Sequence, residues 1–292
     1  MGFSLPSFAK INWTLRVLGK RADGFHELCT LFQTVSLHDT IHFANADAVG
    51  LTCDDPRVET GTNNLIMRAA MLLKARYSVK AGAAIHLEKR IPFPGGMGGG
   101  SSNAAVTLIG LARLWELEAV DLHVPAEELG SDAPFFLYGG TAIGRGRGEV
   151  IEPVVDAAEP LLLIVTPDVS VPTAGVFGSL GAQTLTKEAL ETNLTVCRKD
   201  VEFFDPRHSE LINDLEPAVF ARFPEVERVK NSLLGLGAVN AAMSGSGASV
   251  FAVFDKQETR QAAIEALAHE RSWRKFAVST ISRSEYRDAI TA

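Results

Sequence analysis

The stretch Pro92-Phe93-Pro94-Gly95-Gly96-Met97-Gly98-Gly99-Gly100-Ser101-Ser102 is the most unusual part of this 292-residue sequence. Five of the six positions from Gly95 to Gly100 are glycine. Because each glycine loses much backbone entropy in regular structure, the run is predicted to be neither a helix nor a strand. Such a run is typical of a backbone segment that approaches another group closely.

A helix is predicted directly after the glycine run. Its apolar face consists of Ala105, Leu108, Ile109, Ala112 and Trp115. Ser101 and Ser102 stand at the capping positions, so unpaired amide N–H groups and the positive end of the helix dipole converge on one point. Since such a point binds anions, the sequence predicts a triphosphate there.

Three other interpretations of the glycine run fit less well. A Walker phosphate loop requires a lysine where a serine follows Gly100. A dinucleotide-binding fingerprint can be drawn through Gly96 and Gly98, but a run this dense in glycine matches by chance and does not follow a first strand near the N-terminus. A flexible linker is disfavoured because Pro92 and Pro94 stiffen one side and the amphipathic helix holds the other.

Composition and charge restrict the class of protein. Apolar residues make up 46% of the chain and charged residues 22%, which excludes a disordered chain, a collagen and a small disulfide scaffold. The net charge is 28 − 35 = −7, which argues against nucleic acid as a partner. A chain of this length predicts about two domains.

The cysteines and the lengths of the apolar stretches indicate the cellular compartment in which the protein is expected. Cys29, Cys53 and Cys197 are far apart in sequence, odd in number and without metal-ligand spacing, which indicates a reduced, cytoplasmic protein. Residues 1–11 do not resemble a signal peptide. The longest apolar stretch, residues 161–165, is far shorter than the ~20 residues of a membrane helix, so we expect no membrane partner.

The order of the predicted elements favours an α+β fold. Strands are predicted at 7–19, 30–38, 40–43, 83–87, 141–143, 150–151, 161–166, 248–254 and 275–279. Helices are predicted after an N-cap at Asn63, after the glycine run, and at 131–140, 187–190, 210–220, 224–234 and 257–270. A domain boundary is expected near residues 157–160, which gives domains of residues 1–157 and 158–292.

Two charged residues outside the glycine run are candidates for catalysis. Lys10 interrupts an apolar strand, and Asp132 opens a short predicted helix. Taken alone, each has an ordinary structural explanation, the lysine on a solvent face and the aspartate beside a helix dipole. Beside a triphosphate they would supply what phosphoryl transfer uses, a cation near the moving charge and a carboxylate that orients the acceptor hydroxyl.

Five motifs in order resemble those of the GHMP kinase superfamily, which includes galactokinase, homoserine kinase and mevalonate kinase. They are AKIN at 9–12, RADGFHEL at 21–28, GGGSSNAA at 98–105, GSDAPFF at 130–136 and MSGSGA at 243–248. The resemblance implies an N-terminal domain like domain 2 of ribosomal protein S5, a ferredoxin-like C-terminal domain, and an active site between them.

Within the superfamily the motifs are most similar to the branch that uses ATP and Mg²⁺ to phosphorylate the 2-hydroxyl of 4-diphosphocytidyl-2-C-methyl-D-erythritol, in the non-mevalonate isoprenoid pathway. The resemblance therefore implies a small-molecule partner carrying a cytidine diphosphate group. The sequence does not set the oligomeric state, and a monomer or a weak dimer fits equally well.

The resemblance also implies individual roles for residues of this chain. Lys10 and Asp132 fall on the catalytic positions, residues 92–102 on the ATP loop, and Asn64 and Lys89 near the adenosine. Phe25 and Phe177 fall where two aromatic rings enclose the cytosine, an interaction worth ~1–3 kcal/mol per base. His26 falls where an imidazole reads the base edge, and Asn12 on an acceptor contact.

Several of these residues have a structural alternative. Phe25 could pack on its strand, Phe177 could be a core aromatic, and His26 could make a structural hydrogen bond. Gly245 and Ser246 form either a tight turn or an anion-binding nest for the diphosphate of the acceptor. The metal ligands are not set by the sequence, although the Ser102 hydroxyl is a candidate.

Three residues depart from the family pattern. Phe25 stands where tyrosine is usual, so the stacking face is kept and a hydroxyl is lost. Met97 replaces leucine at similar volume. Trp13 replaces a smaller residue and is expected to narrow the acceptor pocket. Two other functions stay open, namely a kinase of the same superfamily with another acceptor, and a nucleotide-binding regulator without chemistry.

Overall fold

The computed structural model describes residues 2–118, 120–157, 160–181, 184–186, 195, 201 and 204–291. The first sheet contains β1 (Phe3–Lys20), β2 (His26–Ala46), β3 (Val49–Cys53), β4 (Gly82–Glu88), β5 (Thr141–Gly146) and β6 (Val150–Pro153). The second contains β7 (Leu161–Thr166), β8 (Asn240–Met243), β9 (Val250–Phe254) and β10 (Arg274–Val278).

The helices of the described residues lie between and after these strands. They are α1 (Leu65–Tyr77), α2 (Gly99–Leu114), α3 (His123–Leu129), α4 (Thr173–Ser179), α5 (Glu216–Arg222), α6 (Pro224–Gly235), α7 (Gln257–Ala266) and α8 (Arg283–Thr291). Two 3₁₀ helices span Ala133–Leu137 and Leu267–His269. Within this described part, no helix is both long enough and apolar enough to cross a lipid bilayer.

The first sheet is organised around β2. Along one edge β2 pairs with β1 in antiparallel register, from Phe3 opposite Phe43 to Lys20 opposite His26. Along the other edge it pairs with β4 and then with β5. Helices α1, α2 and α3 cover one face and bury a core that includes Ile41, Ile85 and Leu108. This arrangement brings the start of α2 beside the middle of β1.

The second sheet has the strand order β10-β7-β9-β8, and all its pairings are antiparallel. Alternate residues of a strand point to opposite faces, so β7 supplies two cores. Leu163 and Val165 pack in the core that holds the helices α5 and α6. Leu162 and Ile164 pack towards β1 in a core between the two sheets. A continuous apolar core therefore joins the two sheets.

The same alternation determines which residues of β1 face the cleft. Ala9, Ile11 and Trp13 belong to the core between the sheets. Lys10 and Asn12 lie on the opposite face of the strand and line the cleft. The predicted effect of Trp13 on the acceptor pocket is therefore wrong, because its ring packs against Phe251 at 5.4 Å between centroids.

The C-terminal segment returns to the first domain. Thr280 pairs with Val35 of β2, and the Ser36 amide donates to the Ser279 carbonyl at 2.9 Å. Helix α8 then packs on β1, and Tyr286 and Ile290 are buried there with Phe8. The end of the chain therefore supports the domain in which the chain begins.

Four predicted boundaries are wrong, each for a local reason. Strand β2 does not break at residues 38–39, because a bulge absorbs the irregularity: Phe8 pairs with His38 and Ala9 with Val35. The N-cap of α1 is Asn64 rather than Asn63, since the Asn64 side chain accepts from the Ile66 amide at 2.9 Å.

The helix predicted at 210–220 begins only at Glu216, because the Asn213 side chain accepts from the Leu215 amide and binds other backbone instead. The helix predicted at 257–270 is α-helical to Ala266 and ends in a 3₁₀ turn. The helix predicted at 187–190 lies outside the described residues. Sequence analysis did not predict β3, β8, α3, α4 or α8.

Candidate active site

A cleft of about 440 Å³ lies between the two sheets. The whole glycine run from Pro92 to Ser101 lines it, together with Lys10, Asn12, Asp132 and Phe177. A second cavity of about 620 Å³ adjoins it and is lined by Phe25, His26 and Phe177. Leu28, Ser131, Arg147, Thr173 and Phe177 line both cavities, which therefore form one continuous site.

The glycine run folds into a loop that ends at the start of α2. Gly98 is the N-cap and has a positive φ of 67°, a conformation that glycine adopts without strain. It carries no side chain that could cap the helix, so the first-turn amides of Gly99, Gly100 and Ser101 are left for a ligand in the cleft. The predicted anion-binding helix start is thus present in the cleft wall.

The loop is pressed against the MSGSGA segment of the second domain. A Cβ atom on Gly96, whose φ is 71°, would lie 2.0 Å from the Ser244 carbonyl oxygen. The Ser244 hydroxyl donates to the Gly96 carbonyl at 3.0 Å, and the Ser249 amide donates to the Gly95 carbonyl at 3.2 Å. Glycine at 96 is therefore required by the close contact between the two domains.

Lys10 and Asp132 meet in the cleft. The Lys10 ammonium lies 3.2 Å from the Asp132 carboxylate. Lys10 is only 3% exposed, whereas the carboxylate side chain is 29% exposed and open to the cleft. An exposed lysine on a solvent face is therefore excluded, and the lysine is a buried charge with a carboxylate partner.

A chain of hydrogen bonds orients the Lys10 ammonium. Lys10 donates to Asn12 Oδ1 at 2.7 Å, and Asn12 Nδ2 donates to the Thr30 hydroxyl at 2.7 Å. The Thr30 hydroxyl in turn donates to the Thr14 carbonyl at 2.7 Å. The Lys10 amide donates to the Met97 carbonyl of the glycine loop at 3.0 Å, so the strand and the loop hold each other in place.

Asp132 stands directly before the 3₁₀ helix Ala133–Leu137. Its carboxylate caps none of the amides of that helix and remains available to the cleft. The turn after β5 closes around it, since a Cβ on Gly148 would lie 3.4 Å from Asp132 Oδ1. The carboxylate is therefore paired with Lys10 rather than with the amides of the helix that it precedes.

The adjoining cavity brings three predicted residues together. The His26 and Phe177 rings lie 5.5 Å apart at an interplanar angle of 31°, and Phe25 lines the same cavity. Phe25 is 53% exposed, so its ring is accessible to a ligand in the cavity. Burial, and secondarily the charge of Lys20, lowers the pKa of His26, so its imidazole is neutral at pH 7.

Arg147 is a site residue that sequence analysis missed. Its guanidinium lies 5.0 Å from the centroid of the Phe25 ring, and the residue lines both cavities. It belongs to the GRGRG sequence at 144–148, in the turn between β5 and β6. An arginine between glycines in a turn could have been recognised as a candidate anion-binding residue. Arg147 places a positive charge between the aromatic cavity and the Lys10–Asp132 pair.

Gly245 and Ser246 line the cleft. The segment is a tight turn, because the Gly247 amide donates to the Ser244 carbonyl at 3.0 Å. The Asn213 amide side chain fixes it from behind by donating to the carbonyls of Met243 and Gly245 at 2.7 and 2.8 Å. The Ser246 hydroxyl pairs with that of Thr173.

Lys89 and Asn64 lie beside the cleft rather than in its wall. Lys89 is buried and forms an ion pair with Asp39 at 2.7 Å. Desolvation lowers the pKa of Lys89 although Asp39 opposes it. Asp39 also accepts from the amides of Arg90 and Ile91, both at 2.7 Å, and so fixes the chain that enters the loop. Asn64 caps α1, next to Leu65, which lines the cleft.

The structure does not bring Ser102 into the cleft. Its side chain is fully buried and accepts a hydrogen bond from the Ser7 hydroxyl at 2.8 Å. Ser101 lines the cleft in its place. Within the described ranges, no cluster of three histidine, cysteine or acidic side chains is arranged to hold a metal ion.

Comparison with known proteins identifies the family of this chain. The family model of the GHMP kinase N-terminal domain matches residues 64–140, and that of the GHMP kinase C-terminal domain matches residues 202–271. The fold and the site therefore define a GHMP kinase, a small-molecule kinase with a two-domain α+β fold as predicted.

Full-length relatives narrow the family. The chain is 39% identical to a 4-diphosphocytidyl-2-C-methyl-D-erythritol kinase of Syntrophotalea carbinolica, covering 94% of this chain and 97% of the relative. It is 40% identical to the enzyme of that name from Pelotomaculum thermopropionicum, covering 87% and 90%. The chain belongs to the 4-diphosphocytidyl-2-C-methyl-D-erythritol kinase family.

A solved structure supports the same assignment. The crystal structure of a 4-(cytidine 5'-diphospho)-2C-methyl-D-erythritol kinase matches with a TM-score of 0.77 and 34% sequence identity. The match covers 95% of this chain and 99% of that one.

Proposed function

We propose that this protein transfers the γ-phosphoryl group of ATP to the 2-hydroxyl of 4-diphosphocytidyl-2-C-methyl-D-erythritol, in the non-mevalonate pathway to isoprenoid precursors. The observation that carries the proposal is the 3.2 Å pair of Lys10 and Asp132, set between the glycine loop and the aromatic cavity. The loop suits a triphosphate and the cavity a nucleobase, so the pair stands where donor and acceptor would meet.

The loop fits the ATP phosphates on structural grounds. Gly98 leaves the first-turn amides of α2 uncapped, and the helix is 16 residues long, so its dipole adds to their attraction for an anion. A side chain at Gly98 would lie 3.0 Å from the Phe136 ring and 3.1 Å from Lys10 Cγ, so only backbone fits at this point. The loop residues Pro92–Ser101 would bind the phosphates, with Asn64 and Lys89 supporting the nucleoside end.

Asp132 accepts the proton of the acceptor hydroxyl and orients that hydroxyl towards the phosphorus atom. In a loose transition state the proton leaves late, so orientation matters more than basicity. Lys10 stabilises the negative charge that develops on the transferred group, and it holds the Asp132 carboxylate in position. Asn12 accepts a hydrogen bond from the Lys10 ammonium and so keeps the ammonium directed towards the transferred group and the Asp132 carboxylate.

The aromatic cavity would select the cytidine end of the acceptor. Phe25 and Phe177 offer ring faces to the base, and the neutral His26 imidazole reads its edge. Arg147, together with the nest at Gly245 and Ser246, stands where the diphosphate of the acceptor would pass from the base to the hydroxyl.

Mg²⁺ would be bound mainly by the phosphates, where it would neutralise charge, because this ion keeps several waters and needs few protein ligands. The Ser101 hydroxyl is the candidate protein ligand at the start of α2. A cytoplasmic location and a monomer or weak dimer stay predictions.

The acceptor distinguishes this function from its alternatives. In a coupled assay of ADP release, the purified protein should turn over with 4-diphosphocytidyl-2-C-methyl-D-erythritol and not with mevalonate, homoserine or galactose. Turnover with one of those three instead would identify another kinase of the superfamily. ATP binding without turnover on any acceptor would identify a regulator.

A further inference from the structure

We propose that Tyr286, in the C-terminal helix α8, is a positioning residue for the catalytic turn that carries Asp132. Its buried hydroxyl donates a hydrogen bond to the Phe136 carbonyl, four residues after the aspartate. This inference rests on the proposed role of Asp132 and extends it to a part of the chain that does not line the cleft.

The surrounding packing holds the Tyr286 hydroxyl in place for its hydrogen bond to the Phe136 carbonyl. Tyr286 is fully buried, and a Cβ on Gly139 would lie 2.2 Å from its ring. Gly139 has a φ of 66°, so a glycine directly after the 3₁₀ turn makes the space that the tyrosine ring fills. Burial also raises the pKa of Tyr286, which favours the protonated hydroxyl that donates this hydrogen bond.

The contact reaches the catalytic groups through Phe136. The Phe136 ring and the Lys10 side chain both crowd Gly98, since a Cβ there would lie 3.0 and 3.1 Å from them. The backbone of Phe136 belongs to the 3₁₀ helix that Asp132 opens, and its ring faces the start of α2. Fixing the Phe136 carbonyl therefore fixes the separation between the aspartate turn, the lysine and the phosphate loop.

A second set of contacts anchors α8 at its start. Asp156 accepts from the amides of Thr141 and Arg283, at 2.8 and 2.9 Å. The Arg283 guanidinium donates to the carbonyls of Thr141 and Val154. These bonds connect the start of α8 to β5, which follows the catalytic turn. The helix is therefore held at its N-terminal end, and Tyr286 packs against the turn.

The consequence is a kinetic effect without a binding effect. Removing the hydroxyl leaves the Phe136 carbonyl without this buried donor, and the turn can then shift. A shift of about 1 Å in a catalytic group lowers the rate about 10²-fold. We expect the loss of one hydrogen bond to shift the turn by less than that, so Tyr286→Phe should lower kcat by roughly ten-fold. The KM for ATP should change little, because the loop is also held by its own hydrogen bonds to Lys10, Ser244 and Ser249.

Two matched variants separate positioning from stability. Ile290→Ala loosens the same cluster but keeps the hydroxyl, and it should lower the melting temperature while leaving kcat unchanged. Tyr138→Phe removes another tyrosine hydroxyl, at the end of the 3₁₀ helix Ala133–Leu137. That hydroxyl pairs with His123 at the surface, so the substitution should change neither kcat nor the melting temperature.

The experiment measures kcat, both KM values and the melting temperature of the three variants and the unmodified protein, after turnover on the cytidyl acceptor has been established. A kcat loss confined to Tyr286→Phe supports the proposal. An unchanged kcat in Tyr286→Phe, an equal loss in Ile290→Ala, or failure of Tyr286→Phe to fold overturns it. The proposed function would fail separately, through absent turnover of the unmodified protein.

Discussion

The Ser244 hydroxyl of the second domain donates a hydrogen bond to the Gly96 carbonyl of the first. This bond joins the two glycine-rich segments of the chain, one proposed to bind the phosphates of ATP and the other to bind the diphosphate of the acceptor. Because Gly245 also approaches Gly96 closely, the two segments form one continuous wall of backbone. Direct contact between the domains thus sets the spacing of the two segments proposed to bind donor and acceptor.

Gly96→Ala tests this contact. The new Cβ would lie 2.0 Å from the Ser244 carbonyl at a φ of 71°, so the loop must move away from the second domain. Backbone strain of this kind costs about 1–3 kcal/mol, and we expect a lower free energy of unfolding together with a KM for ATP raised by about ten-fold or more. Urea unfolding and steady-state kinetics measure the two effects.

Gly50→Ala is the control for that variant, since a Cβ at Gly50 in strand β3 meets no atom within 4 Å. It should leave both KM values unchanged. Equal effects of the two substitutions would contradict the account of the loop.

Phe25→Ala tests the base cavity. Loss of one stacking face should cost ~1–3 kcal/mol, which corresponds to a KM for the acceptor raised about 5- to 150-fold. The KM for ATP should stay the same, because Phe25 lies in the adjoining cavity and not at the loop. Val155→Ala, at a residue that is 91% exposed, is the control. An unchanged acceptor KM in Phe25→Ala would show that the base binds elsewhere.

The pH dependence of acceptor binding tests His26. Burial lowers the pKa of this histidine below the ordinary value of 6.5, so the neutral form prevails throughout the neutral range. The acceptor KM should therefore be constant above pH 6.5 and rise only when the histidine is protonated at lower pH.

The same shift has a consequence for stability. The unfolded chain binds the proton more readily than the folded one, so this residue lowers the free energy of unfolding as the pH falls through 6.5 and below. An NMR titration of the His26 ring measures the pKa directly. A midpoint at or above 6.5 would contradict the burial of this ring.

Much of the site could be predicted from the sequence because its residues lie in local motifs. The glycine run before an amphipathic helix predicts an anion site, and the structure places that helix start in the cleft wall. Lys10 and Asp132 were each ambiguous alone. Their partnership depends on the pairing of β1 with β2 and on the position of the 3₁₀ turn, which no local pattern reveals.

The predictions that were wrong, and the site residue that was not predicted, also have physical explanations. Ser102 was a candidate metal ligand, but successive helical residues point about 100° apart, and its side chain faces Ser7 while Ser101 lines the cleft. The Trp13 side chain was expected in the pocket, but it faces the other side of β1 from Lys10 and Asn12. Arg147 lies in a turn whose direction is set by the sheet, so its approach to Phe25 was not foreseen.

Asp132→Asn tests the central claim most directly, since it removes the carboxylate charge and keeps the shape of the side chain. A catalytic proton acceptor contributes about 10²–10⁴-fold, so kcat with the cytidyl acceptor should fall within that range. Calorimetry should show unchanged ATP binding, and Asp288→Asn, at an exposed position in α8, should behave like the unmodified protein. A near-normal kcat in Asp132→Asn would contradict the account.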